Sequence, residues 1–147
     1  MDLVVRNRIQ KFAELLMKVP TAQMGDSELC PLIHKFAEGM YIREIFIPAG
    51  TVIVGKIHRH EHPNFLLQGE VTVFTEQEGR EHLVAPCSMI SPAGVQRVVL
   101  AHTDVIWTTV HLNPTNTRDL EKIEEYVIAK SYDELPDLVK EALCLGA

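Results

Sequence analysis

Apolar residues near the start of the chain recur at helical spacing. Val5, Ile9, Phe12, Leu15, Leu16 and Val19 lie three or four apart, and Arg6, Gln10, Lys11, Glu14 and Lys18 fall largely on other faces. This predicts a helix over 3–19, ended by Pro20, and residues 21–31 with Gly25, Asp26, Ser27 and Pro31 read as a linking loop. From about residue 32 the period changes. Short apolar runs alternate with Gly and Pro turns: MYIREIFI (40–47), TVIVGKIH (51–58), FLLQGEVTVF (65–74), HLVA (82–85), SMIS (88–91), QRVVLA (96–101) and DVIWTTVHL (104–112). Several short strands bounded by regular turns predict an all-β sandwich or barrel. After Asn113-Pro114 a helix is expected near Arg118, capped by Thr117 or Asn116, with Leu120, Ile123, Tyr126 and Val127 on one stripe. A second short helix is expected over roughly 133–143, with Pro136 in its first turn. The organisation is one domain over 1–147: an N-terminal helix and loop (1–31), a β-barrel core (32–112) and a C-terminal helical segment (113–147).

Composition narrows the function classes. The chain is 147 residues long, 46% hydrophobic and 23% charged, which is ordinary for a globular domain and excludes disorder as the main state. No apolar run reaches the roughly 18 residues of a membrane helix, and the charged N-terminus lacks a signal peptide's apolar stretch. The expected location is the cytoplasm. A net charge of −6 disfavours nucleic acid as a partner. Cys30, Cys87 and Cys144 form no CxxC pair, so reduced, packed thiols are expected rather than a disulfide framework or a cysteine zinc site.

The candidate chemistry is histidine. Of seven histidines, three stand in His58-Arg59-His60-Glu61-His62. In a regular strand, alternate positions share a face, so three imidazoles project together. Neutral imidazole is a ligand for Zn, Ni, Fe or Mn, which makes His58, His60 and His62 a candidate divalent-metal site. Arg43 sits mid-strand, where either an exposed face or the interior fits. Trp107 and His111 share a strand face, as a core tryptophan and a hydrogen-bonded histidine. His102 reads as exposed in a turn, and His34 and His82 show no evident partners. No nucleophile motif, Walker loop or GxGxxG is present.

The spacing around these residues carries a family resemblance. Gly50, five residues, Lys56, one residue, His58, three residues, His62, six residues and Gly69 follow the frame of the first cupin motif. Sixteen residues separate Gly69 from Pro86, and Pro92-x-Gly94-x-x-Arg97 follows the frame of the second. Over about 40–112 the chain thus resembles a single-domain cupin. The stretches PLIHKFAEGMYIREIFIPAGTVIVGKIHRHEHPNFLLQGEVTVF, PCSMISPAGVQRV and VIWTTVHLN are similar to small cupin-like proteins of tailed bacteriophages. The resemblance implies a mainly β, cupin-type double-stranded β-helix (a jelly-roll barrel) with helices at its ends. It also implies isomerase, epimerase or dioxygenase chemistry as candidate classes. A host cytoplasm would follow from a phage origin.

The departures from that frame matter as much. Cupin enzymes hold one metal with His, His, Glu and His, and the matching positions here are Lys56, His58, His62 and Arg97. Lys and Arg offer no lone pair at neutral pH. Either the loop shifts so that His58, His60 and His62 hold the metal, with His111 as a further ligand, or there is no metal. In the second case Lys56, Arg97 and the histidines bind a small anion such as a sugar phosphate, nucleotide or carboxylate, or the chain is a structural module. The uncommon HxHxH run favours the metal. Gln68 adds a candidate amide oxygen. Glu61, the one nearby carboxylate, alternates away from the site. A small-molecule ligand is expected, and a homodimer, because cupins pair their sheet edges and the stripe over 5–19 needs a covering surface.

Overall fold

The computed structural model describes residues 23–24, 29–76 and 78–135. The helix expected over 3–19 and most of that expected over 133–143 lie outside these residues; at 132–134 the chain makes a single turn of 3-10 helix, Tyr132–Glu134. Twelve strands are described: β1 (Gln23–Met24), β2 (Leu32–Ala37), β3 (Met40–Ile47), β4 (Val52–Val54), β5 (Ile57–His58), β6 (His62–Gln68), β7 (Glu70–Thr75), β8 (Gly79–Val84), β9 (Cys87–Ser91), β10 (Val98–Ala101), β11 (Val105–Leu112) and β12 (Ile128–Ala129). Among the described residues there is one α-helix, α1, spanning Leu120–Val127.

Two five-stranded sheets face each other, in the orders β1-β4-β10-β7-β8 and β2-β3-β11-β6-β9. All pairings are antiparallel except β1 with β4, so Gln23–Met24, expected in a loop, adds an edge strand instead. The chain crosses between the sheets after β3, β6, β8, β9 and β10, which makes the molecule a double-stranded β-helix. The core lies between them. Ile53, Val71, Val73, Val99 and Ala101 come from one sheet and Ile45, Ile47, Leu66, Val105 and Trp107 from the other. Strict alternation on β11 delivers its share, with Val105, Trp107, Thr109 and His111 buried and Leu112 exposed.

Two expected long strands are broken. FLLQGEVTVF turns at Gly69, where φ is +98° and a Cβ would stand 2.5 Å from the Asp104 carbonyl oxygen. That backbone suits glycine alone, and it passes the chain from one sheet to the other. TVIVGKIH breaks at Gly55-Lys56 into β4 and β5. β5 leaves both large sheets and pairs with β12, Ile128 opposite His58.

The expected cap of α1 is also corrected. Asn116 takes φ +51° and its Oδ1 accepts from the Gly39 amide at 2.5 Å, while Thr117 Oγ1 accepts from the Asp119 amide at 3.1 Å. Both oxygens are used in the preceding turn. Asp119 is left to cap the helix, accepting from the Glu121 amide at 3.1 Å. Ile123 and Val127 are buried against Tyr41, Phe36 and Ile128, which lays α1 over one end of the barrel. Among the described residues, no helix is long and apolar enough to cross a membrane.

Candidate metal centre

The end of the barrel under α1 is a cavity of about 320 Å³. Strand register builds its wall in layers on the inner face of the β2-β3-β11-β6-β9 sheet. Nearest the mouth, Tyr41 stands opposite His111; one layer down, His34, Arg43, Thr109 and Asn64 lie side by side; below them come Leu32, Ile45 and Trp107. The facing sheet contributes Ile53 and Val99, the loop before β10 contributes Arg97, and α1 closes the mouth with Leu120, Ile123, Glu124 and Val127. Polar groups thus sit above an apolar floor.

Three histidines converge at the mouth. His58 ends β5, His62 begins β6 and His111 lies near the end of β11. Their ligand-capable nitrogens all fall within 4.8 Å of one another. The His58 and His111 rings are nearly parallel, 4° apart with centroids at 5.3 Å, and His62 is 4.3 Å from the first and 4.7 Å from the second. The premise that failed is a continuous strand through 58–62. β5 stops at His58 and β6 starts at His62, so residues 59–61 turn and alternation does not carry His60 to the same side. His60 is exposed. Its Nε2 lies 3.1 Å from the Tyr126 carbonyl oxygen, and its ring packs on Tyr126 at 4.7 Å. The structure therefore groups His58 and His62 with His111 and places His60 outside that group.

The electrostatics keep these rings neutral. Burial first, then His62, Arg43 and His60, hold His111 down to about 3. Burial first, then His62, His111, Arg43 and Arg97, hold His58 well below the usual imidazole range. Burial also lowers His62, against a raising effect from the His60 carbonyl. That carbonyl fixes a tautomer. His62 Nδ1 is 3.1 Å from it, and a carbonyl only accepts, so Nδ1 carries the proton and Nε2 the lone pair. His111 Nε2 is 3.0 Å from the Thr109 hydroxyl, which can either give or take the proton.

The other candidates separate. Lys56 lines the cavity, but its ammonium pairs with Glu124 Oε1 at 2.5 Å and so ties the barrel rim to α1. Arg97 lines it too and donates to Ser91 Oγ. Gln68 is exposed and donates to the Asp104 carbonyl at 3.4 Å; it is not among the cavity residues. His102 is exposed as expected, but His34 and His82 do have partners: the Tyr41 hydroxyl at 2.6 Å and Glu70 Oε1 at 2.7 Å.

Of the two orientations open to Arg43 in the sequence, the inward one is found, and its parity with Tyr41, Ile45 and Ile47 was the available signal. A buried relay also links the floor to the rim. Trp107 Nε1 donates to Asn64 Oδ1 at 3.0 Å, and Asn64 Nδ2 donates to Ser91 Oγ at 2.6 Å, the atom that also accepts from Arg97. Because indole N–H only donates, the Asn64 amide is fixed in this orientation.

No protein-family model matches the chain, and no curated protein does. Solved structures match its fold. An RmlC-like cupin from Shewanella frigidimarina aligns with TM-score 0.52 at 19% identity, over 71% of this chain and 91% of that one. A cupin superfamily protein from Desulfitobacterium hafniense gives 0.51 at 13%, over 58% and 79%. A salicylate 1,2-dioxygenase from Pseudoaminobacter salicylatoxidans gives 0.57 at 12%, over 91% of this chain but 39% of that one, so the chain spans well under half of that enzyme. At these identities the likeness concerns the fold. With two crossing antiparallel sheets and a histidine-lined mouth, the protein is a double-stranded β-helix of the cupin type.

Proposed function

We propose that the protein binds a divalent metal through His58, His62 and His111 and uses it on a small molecule held in the cavity beneath. The observation that supports this is the convergence of three imidazoles from three separate strands on one enclosed point. The donor set fits. Imidazole suits Zn, Fe, Ni and related ions. Burial keeps the rings neutral, so their lone pairs are not lost to protons, and His62 already presents Nε2. Three protein nitrogens leave coordination positions for a ligand, where the ion supplies Lewis-acid or redox chemistry. The chain itself does the rest: the apolar floor seats the ligand, and α1 and the Lys56–Glu124 pair screen the mouth from water. One fold neighbour is a dioxygenase, and metal-dependent turnover is the enzyme form of this reading.

The test is metal content of tag-free protein by elemental analysis after loading. The wild type should hold about one equivalent. His58→Ala and His111→Ala should each fall below about a tenth of that, since two imidazoles rarely retain a divalent ion. His60→Ala should match the wild type. A wild type that retains no metal refutes the reading, and metal loss in His60→Ala refutes the ligand set.

A further inference from the structure

One hydroxyl in the cavity wall receives more donors than it can answer. Ser91 ends β9, is 2% exposed and lines the cavity. Its Oγ accepts from Asn64 Nδ2 at 2.6 Å and from Arg97 Nη1. Both partners can only donate. Trp107 Nε1 donates to Asn64 Oδ1 at 3.0 Å, which leaves the amide nitrogen facing Ser91, and a guanidinium has donors alone. A hydroxyl has two lone pairs and one proton. The two bonds fill both lone pairs of Ser91, so its O–H must donate elsewhere, and among the described residues no acceptor meets it. Register fixes where this proton sits, because Ser91 stands directly opposite His62 and both line the cavity. A buried O–H without an acceptor is unfavourable, and an occupant of the cavity that brings an acceptor relieves it.

We infer that the cavity takes a small ligand with a carbonyl oxygen on a compact apolar body, and that Ser91 recognises it by donating its hydroxyl proton to that oxygen beside His62. The body lies on the floor of Ile45, Ile53, Val99 and Trp107. A chain of fixed donors aims the hydroxyl. Trp107 sets Asn64, and Asn64 with Arg97 sets Ser91, so the proton is oriented before a ligand arrives. Other polar groups of the wall are engaged with one another: Lys56 with Glu124, His34 with the Tyr41 hydroxyl and Thr109 with His111. A sugar would leave most of its hydroxyls unpaired over the apolar floor, whereas the single oxygen of a ketone has its donor. The volume, about 320 Å³, lies at the small end of the roughly 300–1,000 Å³ of ligand pockets. The inference deepens the metal reading of the same cavity and rests on it only for what else meets that oxygen. The hydroxyl and the floor stand without an ion.

The chain has one tryptophan, and it stands in the wall of this cavity, so its fluorescence reports occupancy directly. The probe is methyl isobutyl ketone, and its isostere carries a methylidene group in place of the oxygen. Each is titrated into metal-free and zinc-loaded full-length protein, with calorimetry in parallel. Ser91→Ala should lower the ratio of ketone to isostere affinity about tenfold, the margin of one hydrogen bond from a buried donor that otherwise has no acceptor. In metal-free wild-type protein the infrared carbonyl stretch of the bound ketone should lie below its value in hexane, and in Ser91→Ala it should return toward that value. Circular dichroism and zinc content should stay unchanged in the variant. An unchanged affinity ratio, a wild-type stretch at the hexane value, or no saturable binding of the ketone to either form overturns the inference. If Ser91→Ala does not fold, the carbonyl stretch on wild-type protein decides alone. Zinc stoichiometry separates the two readings: a lowered ratio in protein that holds no zinc removes the metal and leaves the Ser91 contact, and bound zinc with an unchanged ratio does the reverse.

Discussion

His111 shows how much burial shapes the chemistry of a single residue here. Its ring is 6% exposed and held down to about 3 from an ordinary value of 6.5, and His58 and His62 are lowered with it. The sign of the consequence is fixed by linkage. Above about pH 6.5 these rings are neutral in both folded and unfolded chains. Below it the unfolded chain takes up protons that the fold resists. Metal-free protein should therefore lose stability as pH falls below 6.5, by up to about 1.4 kcal/mol per pH unit from His111 down to about pH 3, with His58 and His62 adding in the same direction. Urea unfolding of metal-free protein between pH 8 and pH 5 checks this. The midpoint should be level at the alkaline end and fall at the acid end, more shallowly in His111→Gln. A midpoint that holds constant down to pH 5 contradicts it.

At the scale of elements, two connections hold the site in place. The first is the β6–β7 corner at Gly69. Its φ of +98° and the 2.5 Å approach of a built Cβ to the Asp104 carbonyl leave no room for a side chain. Gly69→Ala should cost about 3 kcal/mol, read as a lower urea midpoint with an unchanged slope. The second is the strap formed by α1 and β12. Arg59 reaches along it, donating from Nε to the Ile128 carbonyl at 2.9 Å and pairing with Glu134 at 2.8 Å, while its amide donates to the Val127 carbonyl at 2.7 Å. Gly94 N–H donates to the His58 carbonyl at 2.8 Å from the other side, so β5 is held between the strap and the loop at Gly94. Arg59→Ala removes only the side-chain ties. Amide exchange over 120–129 should speed up, and exchange in β7, β10 and β11 should not. Equal acceleration throughout would mean that Arg59 supports the whole fold rather than the strap.

At the scale of the molecule, the outer face of the β2-β3-β11-β6-β9 sheet is the feature that asks for a partner. Ile33, Phe65, Leu67, Ile90 and Leu112 are 37–64% exposed on it, and Ile42, Phe46, Ile106 and Val110 lie among them. A contiguous apolar face of five strands is more than a solitary domain usually shows. Its outward charges are Lys35 and Glu44, one of each sign on neighbouring strands, so a second copy turned about a two-fold axis brings each over its opposite. A homodimer through this face is expected. Sedimentation should give twice the chain mass at micromolar concentration, and Phe65→Lys with Ile90→Lys should give the monomer without loss of strand signal. Wild-type protein that sediments as a monomer refutes it.

The sequence by itself determined what depends on near neighbours. Strand faces follow from alternation, so MYIREIFI folds over the span its pattern marks and DVIWTTVHL over all but its first residue, whereas the break of FLLQGEVTVF at Gly69 shows only in the structure. The resemblance in spacing extended this to the cupin-type fold. The membership of the histidine cluster was not legible in this way. His58 and His62 carry the local spacing, but excluding His60 depended on where β5 stops, which is set by its pairing with β12 some seventy residues later. His111 enters through β11 in the centre of its sheet, and Arg43 meets it there because β3 and β11 pair in that register. A run of residues specifies its own period and turns. Which side chains from distant strands share a cavity is decided by register and crossing between sheets, and those are settled only when the whole core packs.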